Sequence, residues 1–206
     1  MAAGAPIVEL RRVTKEFGDN LAVNGLTVAI GPRQIFGLVG PSGCGKTTTI
    51  RLLVGVLQPS SGEICVMGSD PRHFSTEQRE RIGYMPQGFL LYPTLTTYEN
   101  MAFVARLFGL GWRARRRRIR EVLTYLELWD ARRRLSRDLS GGEKRRLELA
   151  CALVHDPTLL IVDEPSAGLD PVLRTKIWEM LRQLRDAGTS VFVTTQLIDE
   201  TEHCDN

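Results

Sequence analysis

The chain has 206 residues, which suits one domain with a sizeable hydrophobic core and is too short for two large domains. Hydrophobic residues make up 43%, charged residues 25% and the net charge is +3, the values of an ordinary soluble globular protein. No apolar run approaches the roughly 20 residues of a membrane span, the N-terminus lacks an apolar signal-peptide core, and the four cysteines form no CxxC pair. We therefore expect any role at a membrane to depend on a partner, and neither a metal site nor a disulfide framework is indicated.

The first third of the chain favours strands separated by turns. Runs of apolar and β-branched residues alternate with Gly, Asn, Asp and Pro, which is typical of short strands and their connections. A helix is expected over 47–57, because this stretch follows a glycine-rich loop and ends at Gln-Pro-Ser-Ser-Gly. Strands are predicted over 7–13, 21–30, 34–39 and 63–67.

The middle of the chain has a helical pattern from about 98 to 135, and we interpret about 88–140 as a helical insertion. Strands and helices alternate after it, which predicts a mainly parallel sheet with helices on both faces. The N-terminal strands, joined by a turn at 18–20, are expected to form an antiparallel β portion of the same single domain, 1–206. The later elements are a helix after Gly142, a strand over 159–162, a helix over 172–185 and a strand over 190–194.

Ten arginines fall between Arg113 and Arg137. Glu121, Glu127 and Asp130 interleave with them, which is typical of a solvated helical face. The alternative is contact with anionic lipid head groups or with a nucleic-acid backbone. Both interpretations stay open at this point.

A glycine-rich segment, 40–47, lies between a predicted strand and a predicted helix and matches the pattern G-x-x-x-x-G-K-[ST]. Its glycines let backbone N–H groups converge on phosphate oxygens, and the helix N-terminus that follows favours negative charge. Lys46 is expected to reach the β and γ phosphates, and the Thr47 hydroxyl to bind Mg²⁺. This phosphate loop therefore predicts a P-loop NTPase core. The nucleotide-binding residues expected here are Gly40, Pro41, Ser42, Gly43, Cys44, Gly45, Lys46, Thr47 and Thr48.

Two carboxylates, Asp163 and Glu164, end the buried strand predicted over 159–162. The carboxyl ends of parallel strands line the ligand crevice of such a sheet, so Asp163 is placed to hold Mg²⁺. Successive strand residues point in opposite directions, which gives Glu164 a separate task. We expect Glu164 to polarise the attacking water as the general base. The alternative, a strand-end pair that faces solvent, is disfavoured by the phosphate loop in the same chain.

The segment 139–143 (LSGGE) resembles the signature motif of the ABC ATPases and precedes the acidic strand by about twenty residues. Other segments match the family in the expected order along the whole chain. Gln87 follows Tyr-Met-Pro, and 166–170 (SAGLD) is similar to the D-loop of the family. Phe17 lies where the family places the aromatic side chain that stacks on adenine. The resemblance implies an ATP-binding domain that uses ATP and Mg²⁺.

The resemblance also implies that two such domains, identical or different, close head to tail around ATP. ATP then lies between the phosphate loop of one domain and the signature segment, 139–143, of the other. The γ-phosphate is expected to bind to Ser140, Gly141 and Gly142 of the signature segment. The alternative is that these three residues only form the start of a helix. Asp170 is expected to lie at the same nucleotide site. Gln87 is expected to touch Mg²⁺ or the attacking water and to sense the transporter, unless it is a surface loop residue.

The sequence departs from the family pattern at two positions. The signature segment usually ends in Gln, and here it ends in Glu143, a position that we expect to support the start of the helix. The strand over 190–194 is usually followed by a histidine that contacts the γ-phosphate, and this chain has Gln196. An amide donates a hydrogen bond but carries no charge and no transferable proton. We expect Gln196 to keep the phosphate contact and Glu164 to keep catalysis.

Within the family, the stretches 62–68 and 144–149 resemble exporter-type motors of the daunorubicin-resistance kind. The resemblance implies a cytoplasmic ATPase subunit, peripheral on the inner face of the cell membrane, that drives export through a transmembrane permease subunit. The apolar stretch 89–93 beside Gln87 is expected to dock that subunit; the alternative is core packing. Because the family continues with further strand and helix, we expect the C-terminal end to be truncated.

Two other functions stay open. A non-transport ABC ATPase would act on ribosomes or DNA. Such proteins usually carry two motors, or a long coiled coil between the motor halves, in one chain, and this sequence has neither. No specific nucleic acid is therefore expected as a partner. A regulatory module would bind ATP and hardly hydrolyse it. Gln196 favours that second alternative, and the intact Glu164 argues against it.

Overall fold

The computed structural model describes residues 5–88 and 90–206, and its strands form two sheets. The antiparallel sheet contains β1 (Val8–Phe17), β2 (Asn20–Ile30) and β4 (Ser61–Val66), in the order β2-β1-β4. The parallel sheet contains β3 (Ile35–Val39), β5 (Ile82–Met85), β6 (Leu159–Asp163) and β7 (Ser190–Thr195), in the order β3-β7-β6-β5.

The helices pack on both faces of the parallel sheet, which confirms the predicted fold class. α1 lies on the face that also meets the antiparallel sheet, α5 and α6 lie on the other face, and α3 and α4 pack against α5. Among the described residues, no helix is both long and apolar enough to cross a membrane. The helices are α1 (Lys46–Leu53), α2 (Thr76–Glu80), α3 (Thr97–Leu107), α4 (Trp112–Tyr125), α5 (Gly141–Leu153) and α6 (Pro171–Asp186).

Strand β6 shows how one sheet serves two hydrophobic cores. Leu159 and Ile161 face the core that contains α1 and the antiparallel sheet. Leu160 and Val162 face the core that contains the remaining helices. Side chains alternate along a strand, so a strand covered on both faces needs apolar residues at every position. The uninterrupted apolar run that ends at Asp163 is therefore a consequence of its central place in the sheet.

Helices α3 and α5 begin at capping boxes. At α3, Thr96 accepts a hydrogen bond from the Glu99 amide, and the Glu99 carboxylate accepts one from the Thr96 amide. At α5, Ser140 and Glu143 exchange the same pair of bonds. Each box satisfies two backbone amides that a helix N-terminus leaves unpaired. The Glu143 carboxylate thus supports the helix start, as expected from the sequence.

The structure differs from the sequence prediction in the first half of the chain. α1 ends at Leu53 rather than at 57, because the chain turns at Gly55 with a φ of 75°. α2 and β5 are short elements for which the sequence analysis made no prediction. The helical region predicted over 98–135 contains two helices, which are separated at Gly109, where φ is 70°. Glycine tolerates this left-handed conformation without the steric cost that other residues incur.

Candidate functional site

All four parallel strands deliver polar groups to the same edge of the sheet. β3 leads into the phosphate loop, β6 ends at Asp163 with Glu164 directly after it, β7 leads to Gln196, and β5 precedes Gln87. The carboxyl ends of parallel strands lie together, so residues far apart in sequence meet here. The structure thereby brings together the phosphate loop, the two carboxylates and both glutamines that the sequence singles out.

The phosphate loop closes tightly against β2 at its last glycine. Gly45 has a φ of 93°, and a Cβ added to it would lie 2.1 Å from the carbonyl oxygen of Ala22. No side chain of the described residues caps α1, which begins at Lys46 immediately after this glycine. The first amides of this helix are thus oriented for an anionic ligand. The Lys46 ammonium donates to the carbonyls of Gly40 (2.6 Å) and Pro41 (3.0 Å).

Asp163 is held between the phosphate loop and β7. Its carboxylate accepts hydrogen bonds from the Thr47 hydroxyl, at 2.8 Å, and from the Thr194 hydroxyl, at 2.5 Å. The Thr47 and Asp163 oxygens form a compact set of the hard donors that Mg²⁺ prefers. The residues present therefore fit the magnesium ion expected from the sequence.

Glu164 lies just beyond β6 in a left-handed backbone conformation, with a φ of 50°. Its amide donates to the carbonyl and the hydroxyl of Thr194, both at 3.1 Å, which secures this uncommon conformation. Both carboxylates therefore approach the start of α1, Asp163 at Thr47 and Glu164 at Lys46, whose Nζ lies 3.3 Å from Oε1. Strand alternation was expected to point the Asp163 and Glu164 side chains in different directions, whereas in the structure the turn at Glu164 does so.

Two amide side chains converge on the Glu164 carboxylate. Gln87 Nε2 donates to Oε2 at 2.8 Å, and Gln196 Nε2 donates to Oε1 and Oε2 at 2.8 and 2.9 Å. Together with Lys46, these donors compensate a carboxylate that is almost completely buried. Gln196 therefore contacts the candidate base itself, in addition to any contact with a phosphate.

A cavity of about 260 Å³ opens beside these groups. The Phe17 ring at the end of β1 is 47% exposed and borders this cavity, as a residue that stacks on a base would. The Lys15 ammonium lies 5.0 Å from the centre of the same ring. The residues lining the cavity are Phe17, Asn20, Leu21, Ala22, Ser42, Gly43, Gly45, Lys46, Thr47, Thr48, Gln87 and Glu164.

The signature segment and the D-loop lie apart from this cavity. Ser140 forms the cap of α5, and Asp170 forms the cap of α6 by accepting bonds from the Val172 and Leu173 amides at 3.0 Å. Gly142 packs so closely that an added Cβ would lie 2.5 Å from a methyl group of Leu173. None of the signature residues lines the cavity in the described part of this chain.

Two further residues shape the site and were not expected from the sequence. Thr194 contacts both carboxylate residues, and the polar pair 194–195 at the end of an apolar strand was an available signal. Arg145 is buried, and its guanidinium donates to the carbonyls of Asp163 and Glu164. It lies in a run of three basic residues that look equivalent in sequence.

Comparison with known proteins gives a consistent assignment. A family model described as "ABC transporter" matches residues 23–167. The probable multidrug ABC transporter ATP-binding protein YbhF of Escherichia coli K12 is 38% identical over 98% of this chain and 35% of its own length. The Nod factor export ATP-binding protein I of Cupriavidus pinatubonensis is 42% identical over 97% of this chain and 62% of its own length. The chain thus spans between one third and two thirds of these curated relatives.

Two solved structures share the fold over nearly the whole chain. The cbiO1 protein of Clostridium perfringens, part of the ABC transporter complex cbiONQ, has a TM-score of 0.87 and 28% identity, and the match covers 98% of this chain and 83% of that one. The dimeric ATP-binding cassette MJ0796, in a post-hydrolysis state with ADP and Pi, has a TM-score of 0.85 and 27% identity over 96% and 91%. With the phosphate loop, the carboxylates and the signature segment in place, this chain belongs to the ABC transporter family and carries its ATP-binding cassette.

Proposed function

We propose that this chain is the ATP-binding and ATP-hydrolysing subunit of an ABC transporter that exports its substrate through a separate membrane subunit. The observation that carries the proposal is the position of Glu164, which meets Lys46 and Gln87 beside the phosphate loop. Relatives named for multidrug transport and Nod factor export support the direction of transport.

Lys46 links nucleotide binding to the release of the base. The ammonium donates to two loop carbonyls and lies 3.3 Å from Glu164. The β and γ phosphates of ATP carry more charge than these partners and would draw Lys46 onto themselves. This movement separates Lys46 from Glu164. The carboxylate is then free to accept a proton from the water that attacks the γ-phosphate.

Thr47 and Asp163 would hold the magnesium ion, since their oxygens are 2.8 Å apart at the edge of the phosphate loop. A bound magnesium ion would neutralise negative charge on the β and γ phosphate oxygens. Thr194 fixes the second oxygen of Asp163 and so orients the carboxylate toward Thr47. Gln87 and Gln196 orient Glu164 on the other side of the cavity.

The second half of the ATP site would come from another ATP-binding domain. The signature segment, 139–143, lies outside the cavity of its own chain, and its exposed residues Ser140 and Gly141 are available to a nucleotide bound elsewhere. The start of α5 and its dipole are suited to a γ-phosphate. The dimeric state of the MJ0796 cassette supports this arrangement.

The membrane subunit would dock beside Gln87. An apolar cleft of about 240 Å³ lies there, with Leu90, Tyr92 and Phe108 on its walls. Leu90 is 71% exposed and Tyr92 is half exposed, which favours docking over core packing for this part of the predicted stretch 89–93. Phe89 lies outside the described residues. Such docking would place the chain on the inner face of the membrane.

The decisive experiment is Mg²⁺-dependent ATP turnover by the purified chain and by its Glu164→Gln variant. Loss of the general base should lower kcat by a factor of about 100 or more. ATP affinity, measured by fluorescence of a labelled nucleotide, should stay close to that of the wild type. Glu179→Gln, on an exposed position of α6, is the matched control and should hydrolyse ATP at the wild-type rate.

One alternative outcome has a specific structural basis. Gln87 and Gln196 both donate to the Glu164 carboxylate, so both of its oxygens are already engaged as acceptors. ATP binding without turnover in either protein would make the chain a regulatory module that binds ATP and hardly hydrolyses it. Equal turnover in wild type and Glu164→Gln would contradict the assigned base.

A further inference from the structure

Helix α5 carries a completely buried ion pair beside the site. Arg145 Nη1 donates to Glu148 Oε2 at 3.0 Å, and the two side chains are 3% and 4% exposed. Burial raises the pKa of Glu148, whereas its hydrogen bond to Arg145 acts in the opposite direction. Burying both charges is costly unless their remaining donors and acceptors are satisfied. The positions of these other partners show what the pair does.

The first group of partners is the turn that carries the catalytic carboxylate. Arg145 Nη2 donates to the carbonyls of Glu164, at 2.5 Å, and Asp163, at 3.3 Å. Arg145 Nε donates to the carbonyl of Pro165 at 3.0 Å. The guanidinium thus spans three successive carbonyls and fixes the backbone from which the Glu164 side chain extends.

The second group of partners is the loop that carries Gln87. Arg145 Nη1 donates to the Gln87 carbonyl at 3.1 Å and lies 3.5 Å from that of Pro86. Glu148 accepts a bond from the Leu90 amide at 3.2 Å. The pair therefore holds this loop on both sides of Gln87, at the edge of the apolar cleft.

The side chains of Gln87 and Glu164 are joined by a hydrogen bond of 2.8 Å. Because Arg145 binds the backbone at both ends of this hydrogen bond, one planar group sets the separation of the two residues. Only a guanidinium offers five donors in a fixed plane; a lysine ammonium has three donors that radiate from one point.

We propose that Arg145, supported by Glu148, is a positioning residue that couples the backbone at Pro86, Gln87 and Leu90 to the catalytic orientation of Glu164. This inference rests on the proposed function, since it concerns the same ATPase site. A displacement of the loop, such as a docked partner would cause, is transmitted through the guanidinium to the turn at 163–165. The pair thus provides a physical connection between the apolar cleft and the base.

The adjacent Arg146 provides a matched control. It lies on the same helix and donates to the Leu126 carbonyl and the Glu127 carboxylate, at 3.2 and 3.1 Å. These partners follow α4 and lie away from the cavity. Arg146→Lys and Arg145→Lys therefore make the same chemical change in two adjacent arginines that both bond to a carboxylate and to backbone carbonyls, and only Arg145 contacts the site.

The test measures kcat, KM for ATP and melting temperature for Arg145→Lys, Glu148→Gln and Arg146→Lys, each with and without Gln87→Ala. We expect Arg145→Lys and Glu148→Gln to lower kcat about tenfold while KM changes little, and Arg146→Lys to leave kcat at the wild-type value. In the Gln87→Ala background, the effects of Arg145→Lys and Glu148→Gln on kcat should largely disappear, because the hydrogen bond between the Gln87 side chain and Glu164 that the pair positions is absent. Additive effects, or equal losses in both lysine variants, would overturn the proposal.

A second readout keeps this test separate from the test of ATP hydrolysis. Amide hydrogen exchange of the nucleotide-free protein reports the two anchored segments without any turnover. Arg145→Lys should accelerate exchange at both Leu90 and Glu164, and Arg146→Lys at neither. Faster exchange at only one of the two segments would contradict the coupling, even if the wild type proves inactive. If Arg145→Lys does not fold, Glu148→Gln is measured in its place.

Discussion

At Gln196 the chain carries a neutral amide where the ABC ATPases that it resembles usually carry a histidine. The Nε2 group of Gln196 donates to both oxygens of Glu164, so its orientation is fixed by the carboxylate. An amide does not titrate in the physiological range, whereas histidine changes charge there. The position therefore supplies an orienting contact that is independent of pH.

The variants Gln196→Ala and Gln196→His separate these contributions. We expect Gln196→Ala to lower kcat about tenfold, since a hydrogen bond to a charged group is lost beside the base. Gln196→His should recover part of the rate and introduce a new step in the plot of kcat against pH between about 5 and 8. An unchanged rate in Gln196→Ala would show that the contact has no role in turnover.

At the level of single residues, short motifs predicted most of the site. The phosphate loop, Asp163, Glu164 and Gln87 each lie within a few residues that have a recognisable pattern. Arg145 could not be identified in this way, because Lys144, Arg145 and Arg146 are equivalent until tertiary packing buries one of them. The burial of Arg145 depends on carbonyls that are distant in sequence, which no local pattern contains.

At the level of packing between helices and strands, His155 connects the C-terminal ends of α3 and α5 to β5. Its ring stacks on Phe108 with a centroid distance of 3.7 Å, and its Nε2 lies 3.1 Å from the carbonyl of Ile82. Burial lowers the pKa of His155 below its usual value, although the Ile82 carbonyl opposes this effect. The native state therefore favours the neutral imidazole.

This contact predicts how stability depends on pH. In the unfolded chain His155 has the ordinary histidine pKa of 6.5, and in the folded chain it binds a proton only at lower pH. Between these two values the unfolded state holds more protons, so the free energy of unfolding falls as the pH drops below 6.5. Urea denaturation should show this slope, and His155→Gln should reduce it. Identical slopes in the two proteins would contradict the assignment.

Element prediction failed where tertiary contacts decide the structure. β5 has only four residues and contains Gly83, which disfavours a strand by its intrinsic propensity. An added Cβ at Gly83 would lie 2.4 Å from the carbonyl oxygen of Ala152, so the close approach of α5 requires glycine here. The strand forms because β6 pairs with it over all four residues. This pairing is a tertiary contact, so the sequence of β5 alone does not predict it.

For the whole molecule, the separation of the signature segment from the cavity predicts a dimer that depends on ATP. The Glu164→Gln variant should retain ATP and accumulate as a species of twice the monomer mass, measured by light scattering after size-exclusion chromatography. Ser140→Arg in the same background should remain monomeric, because it places a bulky charge at the start of α5. Dimers in the absence of ATP, or none in its presence, would contradict the head-to-tail arrangement.

The role of the arginine-rich region also depends on contacts across the whole molecule. Arg118 pairs with Glu121 and Asp156, and Arg134 pairs with Glu143 at the signature segment. Most of the other arginines between 113 and 137 are exposed. The exposure of these side chains agrees with the first of the two interpretations, a solvated helical face, with local structural contacts at a few positions. Exposed ion pairs of this kind contribute little to stability.

The alternation of side chains in β6 also determines where a change in this strand can be compensated. An altered Leu159 or Ile161 disturbs the packing on the side of α1, so a second substitution that restores the fit is expected in that helix or in the antiparallel sheet. An altered Leu160 or Val162 disturbs the packing on the other side of the sheet, so a compensating substitution is expected in the helical layer that carries the signature segment. Neighbouring positions of one strand should therefore covary with different halves of the nucleotide-binding machinery.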